Sequence, residues 1–392
     1  MTSRSRKGDS TPSDPFETPE RVALRRLARS FAEREIVPNI DQWERDGEVP
    51  RPLHKSAAAV GLLGLGFDEA VGGSGGDAID YCTALEELTV SGRSSGLMMA
   101  LFGHQVALRP LLAHGTPHHV ERFVRPTLAG ERIPALAVTE PGGGSDVAAL
   151  RTTARRDGDH YVVNGSKVFI TSGERADHVV TAVRTGAPGH RGISLLVVEK
   201  GTPGFEVTRR LEKMGWNCSD TAELSFTEVK VPVDHLIGAE GTGFGQIMGL
   251  FQHERLGQAI LAYSIAQRSL DLTAAWCRSR ATFGQPLTSR QVVRHKLADM
   301  AHAVEVARTY TRHVYRRVNA GAELVTEVCM AKRQSTDAAA FVVDAAVQLH
   351  GGAGYLHDME VNRHYRDARV MSIGGGANEV MSELVARRLN YV

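Results

Sequence analysis

The chain has 392 residues, 42% apolar and 23% charged, with a formal net charge of +1. That length suffices for two or three domains, and the near-zero charge offers no field to hold a nucleic acid or an anionic membrane. Cys82, Cys218, Cys277 and Cys329 form no C-x-x-C pair, which favours reduced thiols over a disulfide framework, and no apolar run approaches the ~20 residues of a membrane span.

Residues 1–15 are polar and read as a disordered tail rather than a transit peptide, because no amphipathic helix can be drawn before Pro19. A cytoplasmic location is expected, with the sequons at Asn164 and Asn217 unglycosylated. Thr18-Pro19-Glu20 supplies a cap, a first-turn proline and an acidic first turn for a helix carrying Leu24, Leu27, Ala28 and Phe31, ended by Pro38. Helical stretches continue to about residue 132, broken at Gly72–Gly76. That glycine run follows no strand and is not a dinucleotide fingerprint. From residue 135 short strands replace helices. His160–Val163 and Lys167–Ile170 flank Asn164-Gly165, which predicts a hairpin, and Val179–Val183, Ile193–Val198 and Glu223–Phe226 are further strands. From Phe244 the pattern is helical again, over 244–280, 291–318, 325–350 and 377–390. Helices and strands in blocks argue against an alternating α/β fold. The expected units are helical (16–134), β (135–240) and helical (241–392).

Within 244–280 the apolar stripe runs Ile247, Leu250, Phe251, position 254, Leu261, Ile265, Leu272, and position 254 is Glu. A carboxylate on such a face must find a partner or raise its pKa, and a raised carboxylate beside apolar walls suits proton abstraction next to a carbonyl. Taken alone, a structural pairing with an arginine is the commoner outcome. His253-Glu254 starts an H-E-x-x-H pattern that Gly257 breaks, so no zinc site, and no other metal, is expected.

Several blocks together resemble the acyl-CoA dehydrogenase family. They are Thr139-Glu140-Pro141-Gly142-Gly143-Gly144-Ser145-Asp146, Asn164-Gly165-Ser166-Lys167-Val168-Phe169-Ile170-Thr171, Lys213-Met214-Gly215-Trp216 with Ser219-Asp220-Thr221, Arg280–Leu287 and Gln348–Tyr355. The resemblance covers about residues 20–390, in order. It implies a mainly α chain with a central β-domain: an N-terminal helical domain, a small β-barrel or sandwich, and a C-terminal four-helix bundle. It also implies bound FAD. Leu136, Val138, Thr139, Gly144 and Ser145 would line the flavin from one loop, with Phe169, Ile170 and Thr171 from the next strand. Arg280, Phe283, Gln291, Gln348, Leu349, Gly351 and Gly352 would reach a neighbouring subunit's flavin, so a homo-oligomer is implied, a tetramer by family analogy. Ala377, Asn378 and Glu379 would also contact the cofactor, Glu379 on the adenosine side and Ala377 in place of a threonine whose hydroxyl reaches the flavin.

Many members place their base in a C-terminal Y-E-G-T motif, but here the segment reads Ile373-Gly374-Gly375-Gly376-Ala377. The long-chain and isovaleryl members instead use a helix glutamate in E-R-L, which Glu254-Arg255-Leu256 matches. The resemblance therefore implies that Glu254 removes the α-proton of an acyl-CoA while flavin N5 takes the β-hydride, giving a trans-2-enoyl thioester. Ser145, Arg255, Gly374 and Gly375 would touch substrate, with the Gly375 N–H polarising the thioester carbonyl. Because both base positions face one carbon, Gly375→Glu is expected to restore part of the rate to Glu254→Gly. An electron-transferring flavoprotein is the implied acceptor. A carrier-protein thioester dehydrogenase, a flavin oxidase or monooxygenase, and a non-catalytic binding protein are the competing readings.

Overall fold

The computed structural model describes residues 14–392. Most of the expected tail lies outside that range, but Asp14 and Pro15 are ordered: a single turn, Pro15–Glu17, buries Phe16 in the core. Helix α1 (Pro19–Phe31) starts as read, with the Thr18 hydroxyl accepting the Arg21 N–H at 3.4 Å. The chain continues through α2 (Ile40–Asp46), α3 (Pro52–Ala59) and α4 (Ala78–Gly92), then α5 (Ser95–Phe102), α6 (His104–His114), α7 (Pro117–His119) and α8 (Arg125–Leu128). Asp77 and Asp80 form a capping box at the start of α4. Ser95–His114 has the length and mean hydropathy (1.2) of a membrane-spanning segment, contrary to the expectation that none approaches it. It is two helices broken at Gly103 and is 67% buried, so its apolar character is that of core.

The middle unit is one seven-stranded sheet: β1 (Pro134–Ala137), β2 (Thr153–Asp157), β3 (His160–Thr171), β4 (His178–Arg184), β5 (Ile193–Glu199), β6 (Phe205–Arg210) and β7 (Thr221–Pro232). The order is β1-β4-β2-β3-β7-β6, with β5 also on β4, and the sheet curls around its own core of Tyr161, Val163, Ile170, Leu224 and Phe226. The expected hairpin at Asn164-Gly165 does not exist. His160–Thr171 is a single strand paired along β7, and the turn lies earlier, at Gly158 (φ +62). Asn164 and Gly165 instead mark a bulge between Val163 and Gly165. There the Asn164 amide donates to Glu228 Oε1 at 2.6 Å, and a Cβ on Gly165 would lie 2.7 Å from the Thr152 Cα. Close backbone approach, not reversal, is why glycine stands there.

The other face of β4 and β5 packs Val180, Ala182, Leu195 and Val197 on Leu108, Phe123 and Ile247, joining the sheet to α6 and the next long helix. That helix, α9 (Gly243–Ser279), leads through a ribbon of β8 (Ala281–Thr282) and β9 (Gln285–Pro286) to α10 (Gln291–Asn319) and α11 (Val325–His350). Two shorter helices, α12 (Glu360–Met371) and α13 (Asn378–Arg388), complete the bundle. Helix α12 was not evident in the sequence, since half of its buried residues are polar and interrupt the apolar spacing of Val361, Ala368 and Met371. Arg363, His364 and Asp367 are all buried, with Arg363 paired to Asp41 at 2.8 Å and Asp367 accepting the Trp216 N–H at 2.7 Å. All four cysteines are buried and unpaired.

Candidate active site

A cleft of roughly 500 Å³ opens between α4, α5, α6 and α9. From α9 come Glu254, Gly257, Gln258 and Leu261, spaced i, i+3, i+4 and i+7 along one face. Glu254 is half-buried, on the cleft wall rather than inside the core. Desolvation raises its pKa, opposed by the charges of Arg255 and Lys332. Among the described residues its one hydrogen bond is long: Gln258 Nε2 donates to Glu254 Oε1 at 3.4 Å. A carboxyl so placed keeps lone pairs free toward a mostly apolar space.

Beside it lies the 372–377 loop between α12 and α13. Gly375 (φ +64) and Gly376 (φ +95) both need the left-handed region, which glycine enters without strain. The loop is held from beneath by Arg255 Nε donating to Gly375 O at 3.1 Å and by Lys332 Nζ donating to Gly376 O at 2.8 Å. Arg255, expected at the substrate, is therefore turned away from the cleft. It is buried, stacked over the Phe251 ring, and within reach of Cys329 Sγ. Asn378 is likewise committed to α11, through Thr336 and Asp337 at 3.0 Å and Lys332 at 3.2 Å, so its amide has no freedom for a ligand. Gly374 and Gly375 do border Gln258, the hydrogen-bond partner of Glu254, and the Gly375 N–H donates to no group among the described residues.

The strand-borne residues converge on a second surface. Lys167, fully buried, donates to Glu140 Oε1 at 2.9 Å and Val138 O at 3.0 Å, and Glu140 accepts the backbone N–H groups of Arg151 and Thr152. Burial brings the Lys167 ammonium down to about 8, with Glu140 opposing. This pair fixes Val138–Pro141 against β3, where the Val168 N–H donates to Thr139 O at 3.0 Å. A bulge between Lys167 and Ile170 then pushes Phe169 outward, at φ +61 and 67% exposed, beside half-buried Thr139 and Thr171. Ile170 points the other way, into the sheet core, and Leu136 and Val138 pack against the α6–α9 side. Ser145 and Gly144 are exposed.

Arg280, Phe283, Gln291, Gln348, Gly351 and Gly352 are also exposed, but elsewhere, with Leu349 half-buried and His350 buried between them. Arg280 follows the end of α9, and at ~1.5 Å per residue it lies about 39 Å along the axis from Glu254. One chain thus brings Glu254 and the Gly375 loop to either side of Gln258, and keeps Arg280 apart from them. The walls from α4 to α6 (Tyr81, Met98, Met99, Phe102, Gln105, Val106, Arg109) and the Gln258 amide were not assigned from sequence, apart from the 102–105 stretch placed near the pocket. The helical repeat of 254, 257, 258 and 261 was the available signal for Gln258. His104 within that stretch is buried, with Nε2 at 2.8 Å from Leu63 O.

Residues 18–131 match the acyl-CoA dehydrogenase N-terminal domain, 135–229 the middle domain and 241–390 the C-terminal domain. The chain is 38% identical over 380 residues to a mitochondrial long-chain specific acyl-CoA dehydrogenase of Mus musculus, covering 94% of this chain and 86% of that protein. It is 36% identical over 373 residues to an acyl-CoA dehydrogenase of Bacillus subtilis, covering 95% and 98%. Among solved structures, one from Mycobacterium abscessus described as a probable acyl CoA dehydrogenase superposes with a TM-score of 0.94 at 59% identity, covering 95% of this chain and all of that one (100%).

Proposed function

The chain belongs to the acyl-CoA dehydrogenase family, as an oxidoreductase acting on CH–CH bonds, and on that premise we propose that Glu254 is the base that removes the α-proton of the acyl thioester. What supports the reading is the half-buried carboxyl facing the cleft, its pKa raised by desolvation, one loop away from an unpaired N–H. Glu254 would accept the proton on a carboxylate oxygen. The Gly375 N–H would donate to the thioester carbonyl, lowering the cost of the enolate as charge develops. Arg255 and Lys332 serve that donor by pinning the carbonyls of Gly375 and Gly376, so the loop does not reorganise during the step.

Members of this family are flavoproteins, and the β3 surface fits FAD. An aromatic side chain held exposed in a left-handed backbone offers a flat face, and a Cβ on Gly142 or Gly143 would meet no atom within 4 Å, so those glycines leave room for a ligand. Phe169, Thr139, Thr171, Ser145 and Gly144 would hold it. FAD, when bound, supplies the acceptor for the β-hydride, and an enoyl thioester is left. Because the Arg280 group sits about 39 Å from the base, we propose that it completes the cofactor site of another copy, which makes the active form an oligomer.

The test is Glu254→Gln, which keeps size and loses the base. It is expected to retain FAD and bind acyl-CoA while flavin reduction falls roughly 10²–10⁴-fold. Unchanged reduction kinetics would refute the assignment.

A further inference from the structure

Arg109, on α6, lines the same cleft as Glu254. It is half-buried, and among the described residues no carboxylate lies within salt-bridge distance of it. Its one protein hydrogen bond is the long contact of Nη2 with Gln105 Oε1, 3.4 Å. The guanidinium has five N–H donors, so most of them have no protein acceptor. Three other arginines of this chain, half-buried or deeper, do have a carboxylate: Arg175 has Asp220 at 2.7 Å, Arg268 has Glu360 at 2.6 Å and Arg312 has Glu86 at 2.6 Å. Burial pushes the Arg109 pKa down, and only the phenols of Tyr81 and Tyr315 oppose it. A charge set among Met98, Met99, Phe102 and Val106 without a counter-ion is costly to the empty protein, and the cost is recovered only by a ligand that brings the missing anion.

We propose that Arg109 binds a carboxylate carried by the acyl chain, so that the preferred substrate is the CoA thioester of a dicarboxylic acid. The inference rests on Glu254 acting on an acyl thioester in this cleft. Glu254 is not paired with Arg109, so a substrate can place its α-carbon at one and its far carboxylate at the other. The planar guanidinium donates two parallel hydrogen bonds to a carboxylate. The Tyr81 hydroxyl, also in the cleft and without a protein partner among the described residues, can donate a third. Repulsion between the substrate carboxylate and ionised Glu254 disfavours the reversed orientation.

The experiment compares matched thioesters on the FAD-loaded enzyme: adipoyl-CoA with hexanoyl-CoA, suberoyl-CoA with octanoyl-CoA, and sebacoyl-CoA with decanoyl-CoA. Anaerobic flavin reduction is followed for wild type, Arg109→Met and Arg109→Lys. At the best chain length the dicarboxylyl thioester is expected to exceed its plain partner by roughly 10- to 100-fold in kcat/KM, the worth of a charge-assisted hydrogen-bonded pair. Arg109→Met should abolish that preference while leaving the plain acyl-CoA within about 3-fold, and Arg109→Lys should retain part of it. Equal or faster reduction by the plain thioesters at every length overturns the proposal and leaves the base assignment standing. A uniform loss on both members of each pair overturns it too, placing Arg109 against the CoA moiety instead. If no thioester of either kind reduces the wild-type flavin, the reading of the cleft as an acyl-CoA site fails along with it.

Discussion

Moving the base from Glu254 to position 375 is a demanding test of the cleft geometry. A Cβ built on Gly375 would lie 2.7 Å from Gln258 Nε2 and 3.0 Å from its Cδ. Gln258 therefore fills the space that a side chain at 375 would enter, and Gln258 is itself buried at 4% exposure. A glutamate there must also adopt φ +64, at about 1–2 kcal/mol, and displace Gln258 from its rotamer, at about 0.5–1.5 kcal/mol. Together these come to about 1.5–3.5 kcal/mol, or roughly 10- to 400-fold in the productive population. The rescue of Glu254→Gly by Gly375→Glu, expected from sequence, is thus predicted to fail or nearly fail with Gln258 in place. Adding Gln258→Ala removes the obstruction and should raise the rate of the double variant by roughly 2- to 13-fold, the backbone strain remaining. Single-turnover anaerobic flavin reduction at saturating acyl-CoA reads this directly. A double variant as fast as the triple would show that Gln258 does not occupy that space during catalysis.

Two further outcomes follow from the same geometry. Glu254 has a folded pKa above its unfolded value, so between the two the native state holds more protons and stability falls as pH rises. Glu254→Gln should therefore melt at a higher temperature than wild type near pH 7, with the gap closing toward pH ~4, and a lower melting temperature at neutral pH would contradict it. Arg280→Ala should weaken FAD retention and loosen the oligomer together, as read by flavin content and sedimentation; a variant that keeps both argues against a shared site.

The sequence by itself determined the block order of helices, sheet and helices, because period-3.6 and period-2 patterns are local and the Thr18 and Asp77 caps act within a few residues. It also singled out Glu254, since a carboxylate in an apolar stripe is legible from spacing alone. It misread Asn164-Gly165, because the dipeptide that favours a turn also suits a bulge, and only pairing with β7 over the full length of β3 decides between them. It passed over α12, whose buried residues Arg363, His364 and Asp367 look solvent-facing until Asp41 and the Trp216 N–H, far away in sequence, are brought to them. The resemblance implied Arg255 at the substrate, yet successive helix residues point about 100° apart, and the tertiary fold sends Arg255 beneath the Gly375 loop. Gln258 and Arg109 take their meaning only from what stands opposite them. One touches the glycine 117 positions on, and the other lacks the carboxylate that Arg175, Arg268 and Arg312 have, relations that no local pattern along the chain encodes.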